Sequence, residues 1–353
     1  MTLHLRGVVL PDGNTGDVWV DGDRISLEPL PGAVTLTTEG YLVPGLVDAH
    51  CHPGTFEVGA ALDDDRLVAD GAAYLRQGTS AVRVPGSASR LPSWFGAQDD
   101  MPRVAHAGVP VAAVDGFFPG WGRQVPPERI VETAVEEASS AGWTKMIIDW
   151  FTAADRYGLT MSEEVVAEAT RAVHAVGGRI AVHTQSAAGC RAAVAAGVDS
   201  IEHGLHCPFE LVDELAAKAI ALVPTASAFL ALEGEMTSEA VPAGLRAWFG
   251  TGLERHPRLV LEAYRAGVTI LAGTDLPPGS LTSEIRWLAA AGLSPHDALG
   301  AGSWTARSML GLPAIEHGAP ADILVYPVDP RTDLTILDQP SHRVLRGRLL
   351  RSP

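Results

Sequence analysis

The sequence predicts an α/β protein, a (β/α)8 TIM barrel beside a small β-sandwich contributed by both ends of the chain. Three observations lead there. Residues 1–41 alternate polar and apolar in short segments; the middle of the chain alternates short apolar runs with helix-period stretches; strand periodicity then returns in ADILVYPV and HRVLRGRLL.

Taken in order, HLRGVVL, GDVWVDGDRISL and AVTLTTEGYL are strands separated by Pro-Asp-Gly, Asp-Gly and Pro-Gly turn signals. From LVPGLVDAH onward come TSAVRV (79–84), VPVAAV (109–114), WTKMII (143–148), RIAVH (179–183), VDSIEH (198–203), AIALVP (219–224) and VTILAG (268–273), which with the first make eight. Strands of a parallel sheet are buried on both faces and read as near-continuous apolar runs, as these do. Between them, PERIVETAVEEASSAG puts Ile130, Val131, Ala134, Val135 and Ala138 on one helix face, with Pro127 in the first turn and Gly142 at the end. SEEVVAEATRAVHAVGG opens on Ser162 as N-cap and closes on a Gly pair. Eight such units assign residues 44–313 to the barrel, leaving 1–43 and 314–353 for the sandwich.

The composition narrows the function. The 353 residues are 46% apolar with a formal charge of −16, which excludes a disordered chain and gives no electrostatic footprint for nucleic acid or an anionic membrane surface. Residues 1–20 contain Pro11, Asp12, Gly13 and Asp17, so no signal-peptide apolar region is expected there. Nor does any run approach the roughly 18 apolar residues of a membrane helix. Cys51, Cys190 and Cys207 are an odd number at unrelated spacings, which points to a reducing compartment, and the cytoplasm is the expected location. Association of identical chains is left open.

Polar residues recur at one kind of place. His50 and His52 close LVPGLVDAHCH, His183 closes RIAVH, His203 closes VDSIEH, and Asp275 follows VTILAG. In a barrel the carboxyl ends of the strands converge on the face that carries active sites. At a period of two, His50 and His52 point the same way, toward a shared metal, and Cys51 points to the opposite face as a buried thiol. Only two of the 26 basic residues are lysines, Lys145 and Lys218. Lys218 reads as an exposed helix residue. Lys145 lies inside an apolar strand, where desolvation lowers an amine's pKa. A neutral amine takes up carbon dioxide to give an anionic carbamate, which can bridge two cations, one on His50 and His52 and the other on His183 and His203. The bland alternative is a lysine that snorkels to the barrel rim or pairs with Asp149.

These stretches resemble the amidohydrolase superfamily, in its imidazolonepropionase-like and prolidase-like metal-dependent branch. The resemblance runs along nearly the whole chain and is carried by YLVPGLVDAHCH, AVHTQSAAGCRAAVAAGVDSIEHG, AGTDL, and LSPHDALGAGSWTARSMLGL followed by GAPADILVYPVDP. It implies a barrel with a small sandwich and a binuclear metal centre. His50 and His52 match the first-strand ligands, Lys145 the carboxylated lysine, His183 and His203 the fifth- and sixth-strand ligands, and Asp275 the eighth-strand aspartate. The chain departs in two places. Ile147 and Ile148 follow where the branch often has Gly-Gly, and Ser186 stands where similar deaminases carry glutamate, which disfavours deamination.

The expected reaction is hydrolysis of a C–N amide bond, cyclic or peptide-like, in a small molecule. Two divalent metal ions, zinc first among those that imidazole and carboxylate accept, activate a bridging water while Asp275 shuttles the proton. His206, in the loop GLHCP, is expected to orient substrate or donate to the oxyanion. Seven of the 21 aromatic residues fall in residues 117–157. Phe117, Trp121, Trp150 and Tyr157 are therefore expected in a substrate pocket, with Arg123 and Arg156 clamping a substrate carboxylate. The alternatives are a lactone or phosphotriester hydrolase, or a non-catalytic scaffold that keeps the fold.

Overall fold

A computed structural model describes residues 2–55 and 60–350, so Met1 and 351–353 of the expected sandwich, and 56–59 of the expected barrel, lie outside the described residues. The protein is α/β. Strands Leu46–Asp48, Thr79–Val84 and Arg103–His106 form one parallel sheet. A second, six-stranded parallel sheet runs in the order Arg123–Val125, Val111–Ala113, Trp143–Ile147, Arg179–Thr184, Ser200–His203, Ala221–Val223.

A parallel bridge at Leu222–Ile270 extends this pattern past the Ala221–Val223 edge, and one at His106–Gly142 links the three-stranded sheet to the residue that precedes Trp143–Ile147. Ala49 N donates to Ala272 O (2.9 Å), and Asp275 N to His50 O (2.7 Å). Several details differ from the sequence reading: LVPGLVDAH divides between Tyr41–Pro44, which joins the terminal sheet, and Leu46–Asp48, and the short strands Arg123–Val125, Asp149–Ala153 and Arg156–Leu159 are additional. VPVAAV is shortened to Val111–Ala113 and preceded by an unanticipated strand, Arg103–His106, because Gly108 (φ 68°) and Pro110 break the segment between them. VTILAG contributes an isolated bridge at Ile270 in place of a full strand.

The helices start and stop where their caps dictate. Pro127–Ala141 has Pro at its first position and Gly142 in the left-handed region (φ 79°), and the Ser162 side chain caps Glu163–Ala175 by accepting from Val165 N. On the first of these helices the buried face is Ile130, Thr133, Ala134, Glu137 and Ala138. Val131 and Val135, expected on that face, are only partly buried. Glu137 takes the inner place because its carboxylate accepts from Arg90, Arg123 and Val109 N.

Both ends of the chain enter one eight-stranded sheet. Tyr41–Pro44 pairs with Leu3–Val9 on one side and antiparallel with Ile323–Tyr326 on the other. Its core is Leu3, Leu5, Val18, Val20, Leu42, Ile323, Val325 and Val344, separate from the large cluster under the helices. The Asp322 carboxylate, fully buried, ties this sheet to the rest by contacts to Arg103 Nε (3.0 Å), Arg307 (3.5 Å) and Arg346 N (2.8 Å).

Replacing Asp322 by Ala strands Arg307 without its carboxylate in a dry site. The expected cost is about 3–5 kcal/mol, read as a lowered midpoint in urea unfolding; a loss below about 1 kcal/mol, the value of a surface pair, would show that this tie is not structural.

Candidate functional site

Parallel registration sets Ile147 beside His183, His183 beside Glu202, and Thr184 beside His203, so side chains distant in sequence meet at one edge. His50 Nε2 lies 3.1 Å and His52 Nε2 3.0 Å from the same Asp275 oxygen, Oδ1, while His203 Nδ1 is 3.8 Å from Oδ2. One ligand atom each from His50, His52 and Asp275 falls within 4.8 Å of the other two. The imidazole centroids of His183 and His203 are 4.5 Å apart, and those of His50 and His203 5.3 Å. Cys51 packs away from this group, against Tyr74, Val82 and Val84.

Each of the four imidazoles is tied through one nitrogen. Nδ1 of His50 hydrogen-bonds Glu202 Oε2 (2.6 Å), Nδ1 of His52 donates to Gly86 O (2.9 Å), Nδ1 of His203 meets Thr225 Oγ1 (2.8 Å), and Nε2 of His183 meets the Tyr157 hydroxyl (2.6 Å). Such tethers fix a ring's orientation and tautomer and turn its second nitrogen toward the centre, where Nε2 of His50 and of His52 both face Asp275 Oδ1. The His203 carbonyl is held in turn by His256 Nε2 (3.0 Å).

Lys145 is buried, and its Nζ has no hydrogen-bond partner among the described residues. Burial lowers its pKa to about 8, although Glu202 and Asp275 pull it upward. Asp149 does not pair with it. That carboxylate accepts from Thr184 Oγ1 (2.7 Å), Ser186 N (2.8 Å), Gln185 N and the Tyr157 hydroxyl. Burial also holds His183 well below the usual imidazole range and His203 at about 3, and pushes the Tyr157 phenol well above its ordinary value. For Asp275, burial acts upward, but His50 and His52 outweigh it and hold the carboxyl well below the usual range.

Backbone strain marks the same places. His203 (φ 73°), Thr225 (φ 52°) and Asp275 (φ 52°) are non-glycine residues in the left-handed region, a conformation that costs on the order of 1–3 kcal/mol each and persists where surroundings enforce it. Gly273 is required for the approach of the last segment, because a Cβ there would stand 2.6 Å from His50 Cβ and 2.8 Å from His50 N.

Aromatic rings cover the imidazoles. Trp121 lies 5.5 Å from the His52 ring, Trp150 5.4 Å and Phe117 6.4 Å from His183, and Phe229, which the sequence reading passed over, 5.8 Å from His203. Tyr157 stacks on Trp248 (5.0 Å), which stacks on His206 (4.4 Å). His206 Nε2 donates to Trp248 O (3.0 Å), which leaves Nδ1 alone for the substrate role expected of it; burial brings this ring's pKa down to about 4. Arg123 does not fit its expected clamp. Its guanidinium is already filled by Glu137 Oε1 (2.8 Å) and Glu136 Oε2 (2.6 Å), carboxylates of the helix that follows. Arg156 is exposed at the turn of the Asp149–Ala153 and Arg156–Leu159 hairpin.

Two charged residues of the site escaped the sequence reading. Arg83, fully buried, donates to both oxygens of Glu202 (2.8 Å each), to Ser200 Oγ (2.9 Å) and to Ala49 O (2.6 Å). Burial acts to raise the Glu202 pKa, but Arg83 and Lys145 hold it well below the usual range. A charge inside TSAVRV and another inside VDSIEH were visible by the reasoning that singled out Lys145.

The sequence profile of the amidohydrolase family matches residues 41–347. An uncharacterized protein of Mycobacterium tuberculosis is 32% identical over 98% of this chain and 95% of its own length. Ochratoxinase of Aspergillus niger is 30% identical over 49% of this chain and 38% of its own. Among solved structures, a Xaa-Pro dipeptidase with bound methionine superposes with a TM-score of 0.83 at 20% identity, covering 99% of this chain and 100% of its own. The A. niger ochratoxinase structure gives 0.81 at 18% identity, covering 100% and 96%.

Arg83→Met leaves Glu202 as a buried carboxylate without its cation. It should lower stability by about 3–5 kcal/mol, measurable by urea unfolding, and a variant as stable as the parent would show that Glu202 is neutralised by other means.

Proposed function

Because the chain belongs to the amidohydrolase family of hydrolases, we propose that it cleaves a C–N amide bond, cyclic or peptide-like, in a small molecule. One observation carries this reading beyond the family: four imidazoles converge, each tied by one nitrogen to a partner outside the group, with the second nitrogens of His50 and His52 both turned to Asp275. The set suits divalent cations, with an orphaned buried amine, Lys145 Nζ, beside it. His50 and His52 would hold one cation and His183 and His203 a second, with Asp275 and a carbamate on Lys145 completing the set; zinc is the first candidate. Bound there, such ions supply Lewis acidity and lower the pKa of water toward neutrality.

The chain's own groups do the rest. The Lys145 amine nitrogen bonds to the carbon of carbon dioxide, a C=O electron pair moves to oxygen, and the amine proton leaves to solvent, giving the anionic carbamate. Asp275 takes the proton of the attacking water and hands it to the leaving nitrogen as the C–N bond breaks. Phe117, Trp121, Trp150 and Tyr157 keep bulk water from this edge and favour a partly apolar substrate. His206, through Nδ1, and the exposed Arg156 remain the groups for orienting it.

The scaffold beneath is read as one closed (β/α)8 barrel of residues 44–313, the terminal sheet folding beside it as the small sandwich of 1–43 and 314–353. The bridges at Leu222–Ile270 and His106–Gly142 and the bond from Ala49 N to Ala272 O support that closure.

Purified protein should carry two divalent ions per chain by elemental analysis and lose hydrolysis of an amide panel on chelation. Metal near zero in protein purified from metal-supplemented medium would favour a non-catalytic scaffold, and turnover of lactones or phosphotriesters alone would replace the amide substrate. Asp275→Asn should keep at least one ion and lower kcat on the order of 10²–10⁴-fold, the usual worth of a general acid–base group; an unchanged rate removes its role. Lys145→Ala should lose metal and activity, both partly restored by short carboxylic acids, and full activity without added acid would eliminate the carbamate.

A further inference from the structure

The hairpin formed by Asp149–Ala153 and Arg156–Leu159 puts one hydroxyl where two acceptors compete for its proton. Tyr157 Oη is 2.6 Å from His183 Nε2 and 3.2 Å from Asp149 Oδ1, with the Asp149 carbonyl oxygen at 3.3 Å. Asp149 sits among donors only: Thr184 Oγ1, Ser186 N and Gln185 N all point at its carboxylate. That is the surrounding of an acceptor, and the phenol is its remaining partner. If the phenol proton goes to Asp149, the short contact to His183 is satisfied only when His183 carries its proton on Nε2 and donates to the phenol oxygen. The lone pair of His183 then lies on Nδ1.

We infer that Asp149, Tyr157 and His183 form a relay in which Tyr157 is a positioning residue, fixing the Nε2–H tautomer of His183 so that Nδ1 is the nitrogen presented to a cation. The other three imidazoles reach the same end through Nδ1 tethers to Glu202, Gly86 O and Thr225, leaving Nε2. His183 is thus tethered in the opposite sense. Tyr157 was expected among substrate-contacting residues, and the relay gives its hydroxyl a different task while its ring still packs on Trp248 and Trp150.

The inference rests on the metal-centre reading above, and the test separates the two. Side-chain 15N shifts of metal-free, histidine-labelled protein should show His183 protonated at Nε2, with the Asp149→Asn and Tyr157→Phe variants shifting that resonance pair while those of His50 and His52 stay in place. Equilibrium dialysis with Zn2+ alone should show the second ion weakened about 10- to 100-fold in Tyr157→Phe, the usual effect of removing such an outer partner, with the first ion unaffected. The phenyl ring keeps its stacking on Trp248, so a general packing defect would not divide the two ions in this way. A wild-type chain that binds no Zn2+ overturns the metal centre and this inference together. A wild type that binds two ions beside a Tyr157→Phe variant with equal affinities, or a His183 protonated on Nδ1, overturns the relay alone.

Discussion

The Arg83–Glu202 ion pair is the interaction on which the rest of the site depends. Two unit charges removed from water lose several kcal/mol of hydration each, and only dense hydrogen bonding recovers it. Arg83 spends its donors on both Glu202 oxygens, Ser200 and a backbone carbonyl, and Glu202 spends its remaining capacity on His50 and Ser200. The pair crosses from the three-stranded sheet to the six-stranded one, joining the strand Thr79–Val84 to the strand Ser200–His203, which are not hydrogen-bonded neighbours. His50, from a third segment, inherits its orientation. One pleat before Arg83, Ala81 packs with Val47, Ala49 and Ala221 in an apolar cluster, while Ser200, one pleat before Glu202, joins the polar layer.

Above that layer the protein favours rigidity over backbone comfort. His203, Thr225 and Asp275 all adopt left-handed conformations, and the interactions that enforce them are visible: His256 on the His203 carbonyl, Glu284 on the amides of Ala226 and Ser227, and the Asp275 amide on the His50 carbonyl. A strained turn of this kind aims a side chain back across the sheet edge, a direction that an ordinary strand continuation does not provide. The absence of a Cβ at Gly273 lets the segment carrying Asp275 close against His50.

Much of this was readable in the sequence, and most of the unread part has a common cause. Apolar runs ending in His50, His183 and His203 gave the strand ends, because burial on both faces leaves a continuous signature. Ser162 and Gly142 gave helix limits through local hydrogen-bonding demands that need no tertiary context. Arg83 and Glu202 carry the same local signature as Lys145, a charge inside an apolar run, whereas Phe229 and Thr225 were passed over because their roles arise from neighbours far along the chain. Arg123 failed for the same reason: its nearest carboxylates, Glu136 and Glu137, lie between two and three turns into the next helix, a proximity set by how the loop folds. The helix Pro127–Ala141 likewise turned Glu137 inward, against the hydrophobic pattern, because two arginines wait there.

The placement of Tyr41–Pro44 between Leu3–Val9 and Ile323–Tyr326 also bears on how the chain is made. Tyr41–Pro44 acquires its second neighbour only once Ile323–Tyr326, far along the chain, has been synthesised. Until then that side of the strand presents an open row of amides and carbonyls, the kind of edge that pairs with other chains. The long separation between the two strands therefore makes this edge a place where nascent chains can misassemble, and slow translation of the intervening residues lengthens that exposure.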